Sequence, residues 1–425
     1  MTISFPEPGV VDHDEAGGPA CRSCSAELRH TLVDLGKSPL CETLLTRAEL
    51  NRVEAFYPLH VYVCDRCYLV QLEQYVSADD IFTDHYPYFS SYSSSWLMHA
   101  RAYVEMIVDR FAIDERSSVV ELGSNDGYLL QYFVERGVPV LGVEPAANVA
   151  VAAERKGVTT KVAFFGADLA RSLVDEGAGA DLVISNNVLA QVPDLHDFLE
   201  GVRLLLKRDG VATFEFPHLV RLIEGNQFDT IYHEHFSYFS LIAIDHLLAS
   251  HDLVVFDVDE LRTHGGSLRI YVCHQSARTA SQSVDDLRSR ELLAGLSDIA
   301  YYERFRQEVE ATKRKLLRFL IDAKESGNRV AGYGAPGKGN TLLNYCGIRT
   351  DLLDFTVDMN PHKQEKFLPG SHIPIFHPDK IFEAQPDYIL VLPWNLRAEI
   401  AEQLAGIRSW GGQLVVPIPE VGVIE

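Results

Sequence analysis

Tyr232, His233, Glu234 and His235 stand side by side in the run IYHEHFSYFS, and Tyr238 follows shortly after. Each of these side chains can hold or hand over a proton, which is the equipment of general acid–base catalysis. Imidazole suits the work best, because its reference pKa of about 6.5 lies near neutrality. Tyr232 and His235 are three apart, so a helical turn puts them on one side. Glu234 is placed to hold an imidazole in one tautomer, as carboxylates do for catalytic histidines. If the segment is extended instead, His233 and His235 share a face that can bind metal. The zincin pattern H-E-x-x-H is absent, because the second histidine follows too soon.

A second set of residues points to metal. The pairs CRSC and CDRC place Cys21, Cys24, Cys64 and Cys67 as two C-x-x-C knuckles. Two knuckles complete a tetrahedron of thiolates around Zn2+, and four sulfur ligands leave no position open for catalysis. The gap between the pairs is wider than the usual ~15–20 residues. A redox C-x-x-C would occur once, beside a βαβ unit, and not twice in a Tyr/Val-rich β segment. Cys41, Cys273 and Cys346 read as buried or incidental.

A third set surrounds a glycine turn. In VVELGSNDGYLL, Glu121, Gly123, Asn125 and Gly127 lie where a strand enters a helix, and free N–H groups there face a ligand. The next strand ends at Glu144, a carboxylate able to accept both hydroxyls of a ribose. The turn lacks the G-x-G-x-x-G that seats a pyrophosphate, so a ribose ligand without phosphate is expected, namely S-adenosylmethionine (SAM). Phe164 or Phe165 is expected to pack on its adenine, and Asn186 and Asn187 sit at the tip of the fourth strand, where such sheets bind ligands.

These groups need a scaffold, and the chain has length for about three domains, with 425 residues of which 47% are apolar. Residues 1–20 read as a loose tail and 21–75 as a zinc-binding β domain. Residues 76–275 alternate βα units that make a doubly wound Rossmann-like sheet, closed by an antiparallel pair. Residues 276–425 form a second Rossmann-like α/β domain after a charged helical stretch. The formal net charge of -22 repels phosphate backbones and anionic lipids, so neither nucleic acid nor a membrane surface is an expected partner. No apolar run is long enough to span a bilayer and no secretion signal is evident, so the expected location is the cytoplasm.

The two C-x-x-C pairs together with YFSSYSSSW, ELGSNDGYLL, QFDTIYHEHFSYFS and GYGAPGKGNTLLNYC resemble the sugar C-methyltransferases of antibiotic deoxysugar pathways, most of all the 3-C-methyltransferases of branched sugars such as tetronitrose. The resemblance covers Cys21 to the C-terminus. It implies a zinc-binding N-terminal domain, a central class I SAM methyltransferase domain and a C-terminal Rossmann-like domain, acting on a dTDP-linked 4-keto-6-deoxyhexose; a monomer is expected. Methylating carbon needs a carbon nucleophile, here an enolate made by removing a proton beside the ketone. By similarity, His235 is the base, Tyr232 the donor or proton carrier at the ketone-derived oxygen, and Glu234 the supporting carboxylate. Methylation at C5 follows the same logic from the other side of the ketone.

One position departs from the family. Its members tend to carry histidine where this chain has Gln191 in NNVLAQVPD, and glutamine cannot titrate; His196 and His218 are the nearest histidines in sequence. A second glycine loop, GYGAPGKGN, fits G-x-G-x-x-G with Asp358 following, as in an NAD-dependent oxidoreductase. The resemblance instead turns it toward the dTDP-sugar, with Lys338, Asn340, Lys363 and Asn395 as diphosphate or sugar contacts. Tyr86, Tyr88 and Tyr92 are expected to stack on thymine or shape the sugar pocket.

Overall fold

The computed structural model describes residues 18–77, 81 and 88–424. The chain builds two compact units from interleaved stretches. The first comprises residues 18–29, Cys64–His218 and Phe236–Ser297; the second comprises His30–Val63, Leu219–His235 and the chain from Asp298 onward. Most of the chain between the two knuckles, His30–Val63, thus belongs to the second unit, as do Tyr232 to His235.

Strands β1 (His30–Ser38) and β2 (Tyr57–Val63) form an antiparallel hairpin. It turns Leu32, Val33, Leu35, Leu59, Val61 and Val63 inward, in the near-alternation of a half-buried sheet. Strand β3 (Val70–Leu72) follows the second knuckle. Helix α1 (Ser94–Phe111) starts at Ser93, whose hydroxyl accepts the Trp96 N–H, and buries Trp96, Ala100, Tyr103, Val104 and Ile107 along one stripe.

The first unit's main sheet then runs through β4 (Val119–Leu122), β5 (Val140–Val143), β6 (Thr160–Lys161), β7 (Ala180–Asn186) and β8 (Leu206–Pro217). Helix α2 (Leu195–Leu205) links the last two. The short β9 (Ser237–Tyr238) pairs antiparallel with β3, and β10 (Leu253–Leu261) and β11 (Ser267–His274) complete the sheet. Its order is β10-β11-β8-β7-β4-β5-β6. The five strands β4 to β8 are parallel, and β11 enters antiparallel between β8 and β10. This is the class I methyltransferase topology that the alternating units predict. The third strand is much shorter than VTTKVAFF suggests, and the stretch after the first glycine turn is helical only over Gln131–Val134. Strand β4 is buried on both faces, which explains its apolar run and makes Glu121 within it conspicuous.

The charged stretch is two helices, α3 (Gln282–Ala294) in the first unit and α4 (Ile299–Glu325) in the second. The buried stripe of α4 is Tyr302, Phe305, Val309, Thr312, Leu316, Leu320 and Ala323, at helical spacing. The second unit's sheet contains β12 (Val330–Tyr333), β13 (Thr356–Val357), β14 (Ile375–Phe376), β15 (Tyr388–Val391), β16 (Gln413–Val416) and β17 (Gly422–Ile424). Helix α5 (Gly337–Cys346) follows β12. The order β14-β13-β12-β15-β16-β17 is parallel except for β17, a Rossmann-like arrangement. No helix of the described residues is long and apolar enough to cross a membrane.

Candidate functional site

The four knuckle cysteines come together in the first unit, with Cys21, Cys24, Cys64 and Cys67 offering sulfur atoms all within 4.8 Å of one another. Cys21 to Cys67 and Cys24 to Cys64 are each 3.5 Å apart, close to the ~3.8 Å edge of a tetrahedron with Zn–S bonds of about 2.3 Å. The two knuckles repeat one geometry. Ser25 N–H donates to the Cys21 carbonyl at 2.8 Å and Tyr68 N–H to that of Cys64 at 3.1 Å. Ser25 and Tyr68, the residues after each pair, are both left-handed, with φ of 58° and 57°. Hydrogen bonds from Cys64 and Cys67 lower the pKa of Cys21 and favour its thiolate. Its sulfur also accepts from Gln71 Nε2 at 3.2 Å, as the orienting partner of a metal ligand does. The donor set fits structural zinc.

The first glycine turn is shaped for a close ligand. Gly123 and Gly127 have φ of 66° and 73°, and a Cβ on Gly123 would lie 2.4 Å from Val188. Behind the turn, the buried hydroxyls of Ser124 and Ser185 have no hydrogen-bond partner among the described residues, and the buried Glu121 carboxyl and Asn186 amide have Tyr128 as their polar neighbour. Burial drives the Glu121 carboxyl well above the usual range, and Tyr128 is the neighbour that eases its charge. Such a concentration of buried polar groups fits a polar ligand that completes them. Glu144 receives the N–H groups of Asn125 and Ala146, each at 2.9 Å, one on each oxygen. A second lone pair per oxygen remains for ribose hydroxyls. Asn125 also ties the aromatic loop to the turn, accepting from Ser90 N–H at 2.8 Å and donating to the Tyr88 carbonyl at 3.3 Å. Phe165 is half-buried, edge-on against Phe198, while Phe164 is 45% exposed.

Tyr92 stands exposed with its ring on Phe89, 5.5 Å between centroids. Tyr86 lies outside the described residues. Gln191 closes a 3-10 turn, Leu189–Gln191, just beyond the tip of β7. Neither sequence-neighbouring histidine is available to replace an acid–base group there. His218 is buried on Glu291 at 2.8 Å, and His196 is engaged at 2.9 Å by both His251 and the Ser23 carbonyl.

The opening motif forms a tight turn in the second unit, closed by His235 N–H on the Tyr232 carbonyl at 2.9 Å. The turn is not helical, yet it brings the rings of Tyr232 and His235 to 4.1 Å. His235 Nδ1 donates to the Thr230 carbonyl at 3.2 Å, which puts the imidazole lone pair on Nε2. The tautomer-fixing contact expected of Glu234 is thus made by backbone. Glu234 is buried and receives the Cys41 thiol at 3.7 Å; burial, then the charge of Glu42, pushes its carboxyl up to about 8. His233 Nε2 contacts the carbonyls of Pro58 and Tyr57 at 3.1 and 3.3 Å, and burial lowers its pKa, so it pins the turn as a neutral donor.

The second glycine loop is tightly packed. Gly334 has a φ of 88°, and its Cβ would strike Pro393 at 2.5 Å; that of Gly337 would meet Cys41 Sγ at 2.9 Å. Asp358 accepts the Ala335 N–H at 2.8 Å. Both lysines expected at a diphosphate have carboxylate neighbours inside the unit. Lys363 pairs with Glu42 at 3.2 Å and also donates to the Ala335 carbonyl at 3.0 Å. Lys338 donates to Asn395 Oδ1 at 2.8 Å and lies 4.8 Å above the Trp394 ring. Trp394 in turn donates to Asp229 at 2.7 Å, a buried carboxyl raised to about 6 by desolvation and eased by the Lys338 charge. Asn340 Nδ2 is buried without a partner among the described residues. Cys41, Glu42, Asp229 and Trp394 had no local sequence signal, because each acquires its partner from a distant stretch.

Three family models match the chain: a zinc binding domain over residues 21–82, a methyltransferase domain over 96–258 and a C-methyltransferase C-terminal domain over 262–419. Among curated proteins, the C-methyltransferase NovU of Streptomyces niveus is 38% identical over 406 residues, covering 95% of this chain and 96% of its own. Among solved structures, the magnesium protoporphyrin IX methyltransferase of Synechocystis PCC 6803 with bound SAM is similar at 14% identity. The match spans 42% of this chain and 79% of that one, with a TM-score of 0.32. The 1,6-didemethyltoxoflavin-N1-methyltransferase of Burkholderia thailandensis is similar at 16% identity, over 49% and 95% of the two chains, with a TM-score of 0.35.

Proposed function

Because the chain belongs to the SAM-dependent C-methyltransferase family, we propose that it methylates C3 of a dTDP-4-keto-6-deoxyhexose through an enolate, in the biosynthesis of an antibiotic deoxysugar. The observation that carries the reading is the His235 turn, in which Thr230 fixes the imidazole with its lone pair on Nε2 and the Tyr232 ring stands beside it.

When bound, SAM supplies an electrophilic methyl group. In the proposed reaction His235 Nε2 takes the proton from the sugar carbon next to the ketone. The electron pair of the broken C–H bond moves into the C–C bond and leaves charge on the ketone oxygen. Tyr232 donates a hydrogen bond to that oxygen and stabilises the enolate. His235 then returns its proton to solvent. Glu234, held protonated by burial, keeps a second negative charge away from the forming oxyanion. Gln191 contributes a hydrogen bond without titrating. Glu121, Asn125, Glu144, Asn186 and Asn187 hold the methyl donor, with Phe164 against its adenine. Tyr88, Tyr92, Asn340 and Asn395 contact the nucleotide sugar, as do Lys363, paired with Glu42, and Lys338, held by the Asn395 amide.

The test is incubation with SAM and a panel of dTDP-ketosugars, read by mass for a gain of one methyl, with product NMR assigning the carbon. His235→Asn is expected to abolish turnover while SAM binding by calorimetry stays within about twofold. Full activity in that variant removes the assigned base.

A further inference from the structure

The first unit contains a closed ring of contacts of which only Asn187 has a role in the reading above. Its hub is Glu215 on β8, which is fully buried. Its carboxylate lies 2.9 and 3.0 Å from His99 Nε2 and accepts from Arg269 at 2.7 Å and from Thr263 at 3.1 Å. His99 stacks on Trp96 at 4.9 Å and 21°. Trp96 meets His264 edge-on at 5.0 Å and lies over Tyr128 at 5.9 Å. His264 Nε2 is 3.4 Å from the Asn187 amide, and the Asn187 N–H returns to the Glu215 carbonyl at 2.7 Å.

Two features tie the ring to the methyl-donor pocket. It contains Asn187, whose neighbour Asn186 is buried beside Tyr128. It also packs through Trp96 on Tyr128, the residue that eases the Glu121 charge. The ring is held against backbone preference, since Asn187 and His264 are both left-handed, with φ of 56° and 52°. Such conformations persist where surrounding contacts over-determine them. Burial opposes the Glu215 charge, but His99 and Arg269 outweigh it and hold the carboxyl at about 2, which keeps the hub ionised near neutrality.

We infer that Glu215 is a positioning residue for methyl-donor binding, acting through His99, Trp96, His264 and Asn187 to set the strand tip that contacts the donor. The inference rests on the SAM dependence of the family and not on which sugar is methylated, so it stands or falls separately from the acceptor assignment.

The experiment titrates the full-length, zinc-loaded protein with S-adenosylhomocysteine, by calorimetry and by tryptophan emission. The part of the emission that W96F removes reports on Trp96. Wild type is expected to show a Trp96 response on binding. E215Q, which discharges the hub, and H264A, on a half-exposed turn, are expected to bind at least about tenfold more weakly and to lose that response. D257N serves as control, because Asp257 is a β10 carboxylate held by Ser281, Ser283 and Arg110, outside the ring. It is expected to bind within about twofold of wild type. Should E215Q fail to fold, H264A decides alone. Undiminished affinity in either folded variant, equal weakening in D257N, or a Trp96 emission that ignores the ligand overturns the inference.

Discussion

Glu234, His233 and His235 are neighbours in sequence with three different fates. His233 is a neutral pin on two carbonyls, Glu234 is a buried carboxyl and His235 has its tautomer set by Thr230. The Glu234 shift has a consequence for stability. Its folded pKa of about 8 lies above the ~4.3 of an unfolded glutamate, so between those values the folded chain binds more protons than the unfolded one. Stability from this group is complete below the lower value and is lost as pH rises through the upper one. Glu234→Gln removes the loss, so its denaturation midpoint should fall less than that of wild type between pH 5 and pH 8. Parallel midpoints across that range would contradict the assigned burial of charge. The proton-handling residue types were legible in the sequence, because histidine, glutamate and tyrosine so close together are distinctive. Their partners were not: Cys41 and Pro58 reach the turn from far upstream, and spacing along the chain carries no information about that.

The elements around the two glycine turns show the same division. The first turn was legible because a left-handed glycine between a buried strand and a helix is a local requirement, met at Gly123 and Gly127. Gly123→Ala forces a side chain into Val188 and a backbone state that alanine resists, so SAM affinity should drop by at least about tenfold. Calorimetry checks this, and circular dichroism confirms that the sheet persists. The second turn matched a dinucleotide pattern equally well on sequence. Its surroundings were not legible, because Cys41, which packs against Gly337, and Glu42, which holds Lys363, come from far upstream. A motif specifies the backbone path of its loop, whereas the space in front of the loop is filled by residues the motif does not contain. The ring at Glu215 was illegible for a related reason. His99, Glu215 and His264 sit on a helix, a strand and a hairpin turn, and only the sheet order brings β8 and β11 side by side.

At the scale of the whole molecule, the alternating βα pattern and the paired knuckles disclosed both Rossmann-like sheets and the metal. The pattern did not disclose that His30–Val63 and Leu219–His235 leave the company of their sequence neighbours. Hydrophobic periodicity reports which face of an element is buried and is silent about which element buries it. Zinc is the component most easily removed at this scale. Chelation should lower the thermal midpoint by several degrees and restored zinc should recover it, with one metal per chain by elemental analysis. An unchanged midpoint in metal-free protein would deny the cluster a structural role.

The interleaving also governs how the polypeptide can be made. Neither half can be excised by a single cut, since each draws on both early and late stretches. During synthesis the first pair of thiols leaves the ribosome well before the second, and the β1–β2 hairpin waits for α4 and the last sheet before its body is complete. Capture of the ion therefore closes a long loop while most of both units has yet to be translated, so metal supply early in translation would influence the yield of folded chains.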